Sequence, residues 1–178
     1  MSNLPFKAST PEGSQIAERL AGAYFYDTWS VKSGEVERSA LEHFIAALEK
    51  TPRWVDACMT LRNRAVSLVG LKDLGGLSGL QANKSVSSYR PGDRVGIFTL
   101  FENTFDEVLM GDKDKHLNVV LSVHRRPLPA SNEVLVTVTT VVHVHNTLGR
   151  LYMLPVKPMH RRIAPAVLRA IGQTPNAT

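Results

Sequence analysis

Six histidines are the first residues in this sequence that invite chemistry. His143 and His145 are two apart in a β-branched run, so their side chains leave the same strand face. If the hairpin before them turns midway between Leu128 and Ser131, His116 comes opposite His143 and His124 opposite Leu135. Two or three imidazoles on one sheet face would be metal-ligand chemistry. The same register places Leu117, Val119, Leu121 and Val123 opposite Val142, Thr140, Val138 and Val136. That second face is the core. The histidine face, shared with Asn118, Ser122, Thr137 and Thr139, is then the polar outer face, where histidines are ordinarily solvated. No metal and no cofactor is expected.

Acid–base work could fall to Tyr152, His160 and a carboxylate such as Asp114. Tyr152 and His160 are eight apart, near one helical face, and capping or packing is the simpler role for His160. Arg62 falls between Met59 and Val66 on an apolar stripe. A buried guanidinium needs a partner, Asp114 or a ligand acid, although snorkelling along its stem is common. Together with Tyr152 it could orient a ligand carboxylate. Nucleophilic catalysis is poorly served. Cys58 lies on an apolar helix, where a small apolar role is commonest, and no serine stands in a G-x-S-x-G elbow. Gly75, Gly76 and Gly79 fit neither a dinucleotide fingerprint nor a phosphate loop.

The elements that must position these residues follow from pattern. Residues 1–20 carry Pro5, Pro11 and Gly13 and read as an irregular lead-in. Ala23–Val31 is aromatic and β-branched, hence a strand. Ser39-Ala-Leu-Glu42 is a capping box opening a helix from Ala40 to about Glu49. Thr51 as N-cap and Pro52 as first helical residue open a second helix that runs to Gly70. Its stripes, Val55-Met59-Val66-Val69 and Trp54-Leu61-Leu68, predict a largely buried helix. Leu71–Ser88 reads as a loop. Then come strands at Val95–Phe101, Glu107–Met110, His116–Arg125 and Glu133–His145, joined by short turns, an antiparallel meander. Val156, Met159, Ile163, Val167 and Ala170 keep helical spacing, but Pro155, Pro158 and Pro165 predict a short turn near Leu151 and a main helix only from about Pro158.

The expected fold is α+β: a helix-grip, with a curved antiparallel sheet packed on a long C-terminal helix and two helices between the first and second strands. Residues 21–172 are expected to form a single domain and 173–178 a flexible C-terminal tail.

Charge sharpens the picture. The excess of Lys and Arg, 21 against 16 acids, lies wholly after His145 in Arg150, Lys157, Arg161, Arg162 and Arg169. No carboxylate follows Glu133. Such a segment could meet a phosphate, a nucleic acid or an anionic membrane. A helix with solvated arginines on its outer face is the simpler account, because the charges are spaced and no aromatics interleave them, so nucleic acid is not favoured. With 43% hydrophobic and 21% charged residues, the composition is globular rather than disordered. No apolar run approaches a membrane span. One cysteine and no signal-like start lead to the expectation of a cytoplasmic protein.

Several segments look familiar: Trp54-Val-Asp-Ala-Cys-Met-Thr-Leu-Arg-Asn63 running to Gly70-Leu-Lys72, Gly111-Asp-Lys-Asp-Lys-His-Leu117, Gly149-Arg-Leu-Tyr152 and Pro158-Met-His-Arg161. Together they resemble the bacterial family catalogued as domain of unknown function 2867, over about Tyr26 to Ile171. In some members that domain is fused to a nucleotide-sugar-epimerase-like one, so this chain is expected to be a stand-alone form. The resemblance implies a more distant likeness to START-like and polyketide-cyclase-like helix-grip proteins. It brings no activity and no catalytic residues. The family's recurrent positions here are Arg62, Asp114, His116, Tyr152 and His160.

The functional expectation is a protein that holds a small, mainly apolar or amphipathic ligand between sheet and C-terminal helix. Trp29, Trp54, Met59, Phe98, Leu121 and Met159 would supply walls. The polar groups would be Arg62, Asp114, His116, Tyr152 and His160. A cyclase- or lyase-like enzyme using the same cavity is the alternative, and a basic-surface interaction protein a second. A homodimer is compatible with each.

Overall fold

The computed structural model describes residues 3–67 and 84–173. The loop glycines 75, 76 and 79, the Gly70 helix stop and the tail beyond residue 173 lie outside the described residues. In chain order the elements are β1 (Phe6–Lys7), a 3-10 turn (Gln15–Arg19), β2 (Phe25–Ser33), α1 (Ala40–Glu49) and α2 (Arg53–Ser67). After a second 3-10 turn (Val86–Ser88) come β3 (Arg94–Val95), β4 (Phe98–Asn103), β5 (Glu107–Lys113), β6 (Leu117–Leu128), β7 (Glu133–Val144) and α3 (Thr147–Gly172). The strands make one antiparallel seven-stranded curved sheet in the order β1-β2-β7-β6-β5-β4-β3. It is an α+β helix-grip, with α3 and α1 packed on the concave face.

Period-two alternation makes that face. Phe25, Trp29 and Val31 of β2 stand opposite Val142, Val138 and Val136 of β7. These meet Val119, Val123 and Arg125 of β6 in turn. The buried core continues through Val108 and Met110 of β5 to Leu41, Phe44 and Leu48 of α1 and Val167, Leu168 and Ile171 of α3. α1 begins where its capping box predicts. Ser39 Oγ accepts from Glu42 N at 3.3 Å, and Glu42 Oε2 accepts from Ser39 N at 2.7 Å.

Four local readings are corrected. The β6–β7 turn is the four residues Pro129–Asn132, so His116 is not opposite His143: Asn118 pairs with His143, and His124 with Thr137. The slip is two residues, an even number, so the inward and outward sets survive. The strand expected over Val95–Phe101 is a tight hairpin, because Gly96, at φ +57°, turns β3 into β4. The Thr51 hydroxyl does not cap α2. It donates to Ala47 O of α1 at 3.3 Å. Finally, over its described side chains, residues 53–63, α2 is not largely buried. Val55 is enclosed and Met59 half-buried, but Trp54 and Leu61 are 44% and 69% exposed.

α3 runs unbroken through Pro155, Pro158 and Pro165. Proline removes the hydrogen bond to the carbonyl four residues back. Here those carbonyls belong to Leu151, Leu154 and Arg161, all exposed residues, so water can take the place of the missing donors. The opposite side of the helix is held by the sheet. Among the described residues no helix is long and apolar enough to cross a membrane.

The outer face of the sheet is also covered, contrary to its reading as a solvated polar face. The lead-in crosses it, and Ile16 packs on Leu109, Val120 and Val141. Ser14 Oγ donates to Glu107 Oε1 at 2.5 Å and Ser122 Oγ to the same oxygen at 2.6 Å, while Gln15 N donates to Oε2 at 3.0 Å. Two donors of the lead-in and one of β6 thus converge on the Glu107 carboxylate of β5. His143 reaches Arg19 O at 2.9 Å.

Candidate functional site

Arg62 and Tyr152, singled out on opposite halves of the chain, meet in space. Arg62 Nε donates to the Tyr152 hydroxyl at 2.9 Å, and the guanidinium carbon lies 5.4 Å from the centre of the phenol ring. Arg62 Nη1 also donates to Asn63 Oδ1 at 2.7 Å. The stem of Arg62 is half-buried on α2 beside Met59. Tyr152 stands on the first turns of α3, within an apolar group formed by Phe25, Val142, Met153, Leu117, Val119 and Val144. The pair therefore links α2 to α3 beside an apolar group on β2, β6 and β7.

Asp114 and His116 have structural roles. Asp114 Oδ1 accepts from the backbone N–H groups of His116, at 2.6 Å, and Leu117, at 2.9 Å, closing the β5–β6 turn. It forms no ion pair with Arg62 among the described residues, so of the two candidate partners for Arg62, Asp114 is not engaged. His116 is buried against Asn146, with Nδ1 3.2 Å from its side-chain oxygen. Asn146 caps α3, accepting from Gly149 N at 3.0 Å. Two of the motif glycines, Gly111 and Gly149, are packing requirements. A Cβ on Gly149 would stand 2.5 Å from His116 O, and one on Gly111 would stand 2.2 Å from Val119 O.

His160 lies two turns further along α3, away from Tyr152. Its ring meets Phe25 edge-on at 5.5 Å, and its Nε2 is 3.8 Å from Asp27 Oδ2. Asp27 is a buried carboxylate on the concave face that pattern reading missed. It accepts from Trp29 Nε1 at 2.9 Å and pairs with the Lys7 ammonium. Burial, aided by that ammonium, pushes the His160 ring down to about 4, so it is neutral at neutral pH. A carboxylate beside an imidazole is acid–base geometry, yet here the carboxylate is already engaged by Lys7 and Trp29. The cluster anchors β1 and α3 to β2. A signal for Asp27 was present in the sequence: it shares the inward parity of Phe25, Trp29 and Val31.

Asp112 was also missed, because Asp-Lys-Asp-Lys reads as a turn. The strand instead continues through Lys113, and Asp112 is buried beside Val119, 3.7 Å from Arg94 Nη1. Of the expected walls, Leu121 is buried, Trp29, Met59, Phe98 and Met159 are half-buried, and Trp54 points to solvent. Cys58 is half-buried and unpaired. Among the described residues no three His, Cys, Asp or Glu side chains cluster as metal ligands would.

No curated protein matches the chain. The sequence pattern of the family described as "Protein of unknown function (DUF2867)" matches residues 19–167, from the covered outer face of the sheet to the last buried turns of α3, and the chain belongs to that family.

Proposed function

We propose that the protein binds a small, mainly apolar ligand between the concave face of the sheet and α3, with an acidic group of the ligand held at Arg62 and Tyr152. The observation that carries the reading is the 2.9 Å contact between those two side chains at the edge of an apolar wall. A guanidinium and a phenol fixed together offer charge and directional donors to an oxyanion, while Leu117, Val119 and Val144 suit a hydrocarbon body. An enzyme of cyclase or lyase type would need an acid or base there. The nearest candidate pair, Asp27 with His160, is engaged in holding β1, so binding is the better reading.

A titration with a fluorescent fatty acid tests it. The wild-type chain should bind the probe, Tyr152→Phe should weaken binding, and Arg62→Met should weaken it more. A methyl ester of the same probe should bind poorly to all three. Equal affinity of acid and ester, or unchanged affinity in both variants, would remove the proposal.

A further inference from the structure

On the outer side of α3, charge and apolar exposure coincide. Leu151 and Leu154 leave 61% and 62% of their surface in water. Arg150, Arg161 and Arg162 are exposed on the same side of the helix. None of these arginines makes an ion pair among the described residues, and no acid follows Glu133.

The fold does not call for this arrangement. The core-facing side of α3 is a different one, through Met153, Val167 and Ile171. Single exposed leucines are ordinary. Two of them framed by arginines with no counter-charge, on a helix that lies flat on its domain, form the basic amphipathic surface that suits an anionic bilayer. We propose that this face docks the protein peripherally on anionic phospholipid. Leu151 and Leu154 enter the boundary between headgroups and acyl chains, and Arg150, Arg161 and Arg162 meet lipid phosphates. The carbonyls left without donors by the prolines lie on this side too. They remain satisfied only where water is present, which confines the helix to the hydrated headgroup layer. A nucleic acid would use the arginines, but aliphatic tips would give its bases no stacking surface.

Co-sedimentation with vesicles tests the assignment. The full chain should sediment with vesicles of mixed phosphatidylglycerol and phosphatidylcholine, fail to sediment with phosphatidylcholine alone, and be released as salt rises. Arg161→Gln with Arg162→Gln should abolish binding. Leu151→Ser with Leu154→Ser should weaken it by about tenfold or more. Both double variants should melt like the wild type, because the altered side chains are exposed. Failure of the wild type to sediment, or equal sedimentation with both vesicles, overturns the proposal. Undiminished binding by the leucine variant overturns it in favour of a purely ionic partner such as a nucleic acid. A dimer in light scattering that Leu154→Ser disperses overturns it in favour of self-association.

Discussion

The carboxylate of Asp27 reaches three ways beneath α3: toward the ammonium of Lys7, the indole of Trp29 and the ring of His160, whose Nε2 is 3.8 Å from Oδ2. Lys7 already satisfies the carboxylate charge, so His160 gains little by taking a proton. Replacing Lys7 by Met should reverse this. With the ammonium gone, the imidazolium becomes the available counter-charge, and the His160 midpoint should move up from about 4. Histidine NMR titration reads this directly. An unmoved midpoint would mean that burial alone sets it.

Stability should fall as the solution is acidified through the histidine range. His160 and His43 are both held down at about 4, in each case chiefly by burial, against an ordinary 6.5. For His43 the Arg38 and Arg125 cations add to the effect. Between pH 6.5 and 4 the unfolded chain therefore carries protons that the folded chain refuses, and unfolding is favoured as pH drops. The loss is on the order of 2–3 kcal/mol for each ring. Denaturant melts across that window should show the slope, and His160→Phe should reduce it by about half. A slope unchanged in the variant would assign it to other groups.

The close approach of α3 to the β5–β6 turn yields a sharper mutational test. Gly149→Ala forces a methyl against His116 O, backbone that cannot swing aside, and should cost about 1–3 kcal/mol. Gly22→Ala is a different case. Nothing lies within 4 Å of its added methyl, and the cost comes only from the backbone's φ of +71°. Chemical denaturation should rank Gly149→Ala as the more harmful. The reverse order would mean that the helix start can slide.

Truncation before Pro158 should unfold the chain. It removes Val167, Leu168 and Ile171 from the concave face, and each Å² of apolar surface bared there costs about 25 cal/mol. Arg162→Gln with Arg169→Gln should leave the melting temperature within a degree or so, since both side chains are exposed. A truncated chain that retained a cooperative melt would show that the sheet does not need α3.

Much of this architecture is legible in the sequence. Ser39-Ala-Leu-Glu42 located the start of α1 because a capping box is a local device, complete within four residues. The two faces of β6 and β7 were legible because an even register error preserves side-chain parity. Arg62 is recognisable as a charge on an apolar stripe, and Tyr152 as a group able to do acid–base work or orient a ligand. Their meeting across 90 residues is tertiary and leaves no local trace. The same holds for Ser14 and Glu107, whose bond turns an irregular lead-in into a cover for the outer face. The continuity of α3 was hidden for another reason. The proline penalty is local, and only the packed fold reveals the contacts of Met153, Val167 and Ile171 that hold the helix together along its other side.

The sheet's two borders, β1 and β3, are each two residues wide, and that has a consequence for how copies of this chain treat one another. A long bare border strand is a template for any extended segment that drifts past, and the nine residues of β2 would make a good one. Instead Phe6 and Lys7 cover Ser30 and Trp29, Ala8 N donates to Thr28 O at 3.2 Å, and Asn3 Nδ2 donates to Lys32 O at 3.2 Å. A handful of residues thus closes the border against fibril-like growth. Strand-by-strand aggregation would have to begin with the detachment of those few residues, long before the core opens.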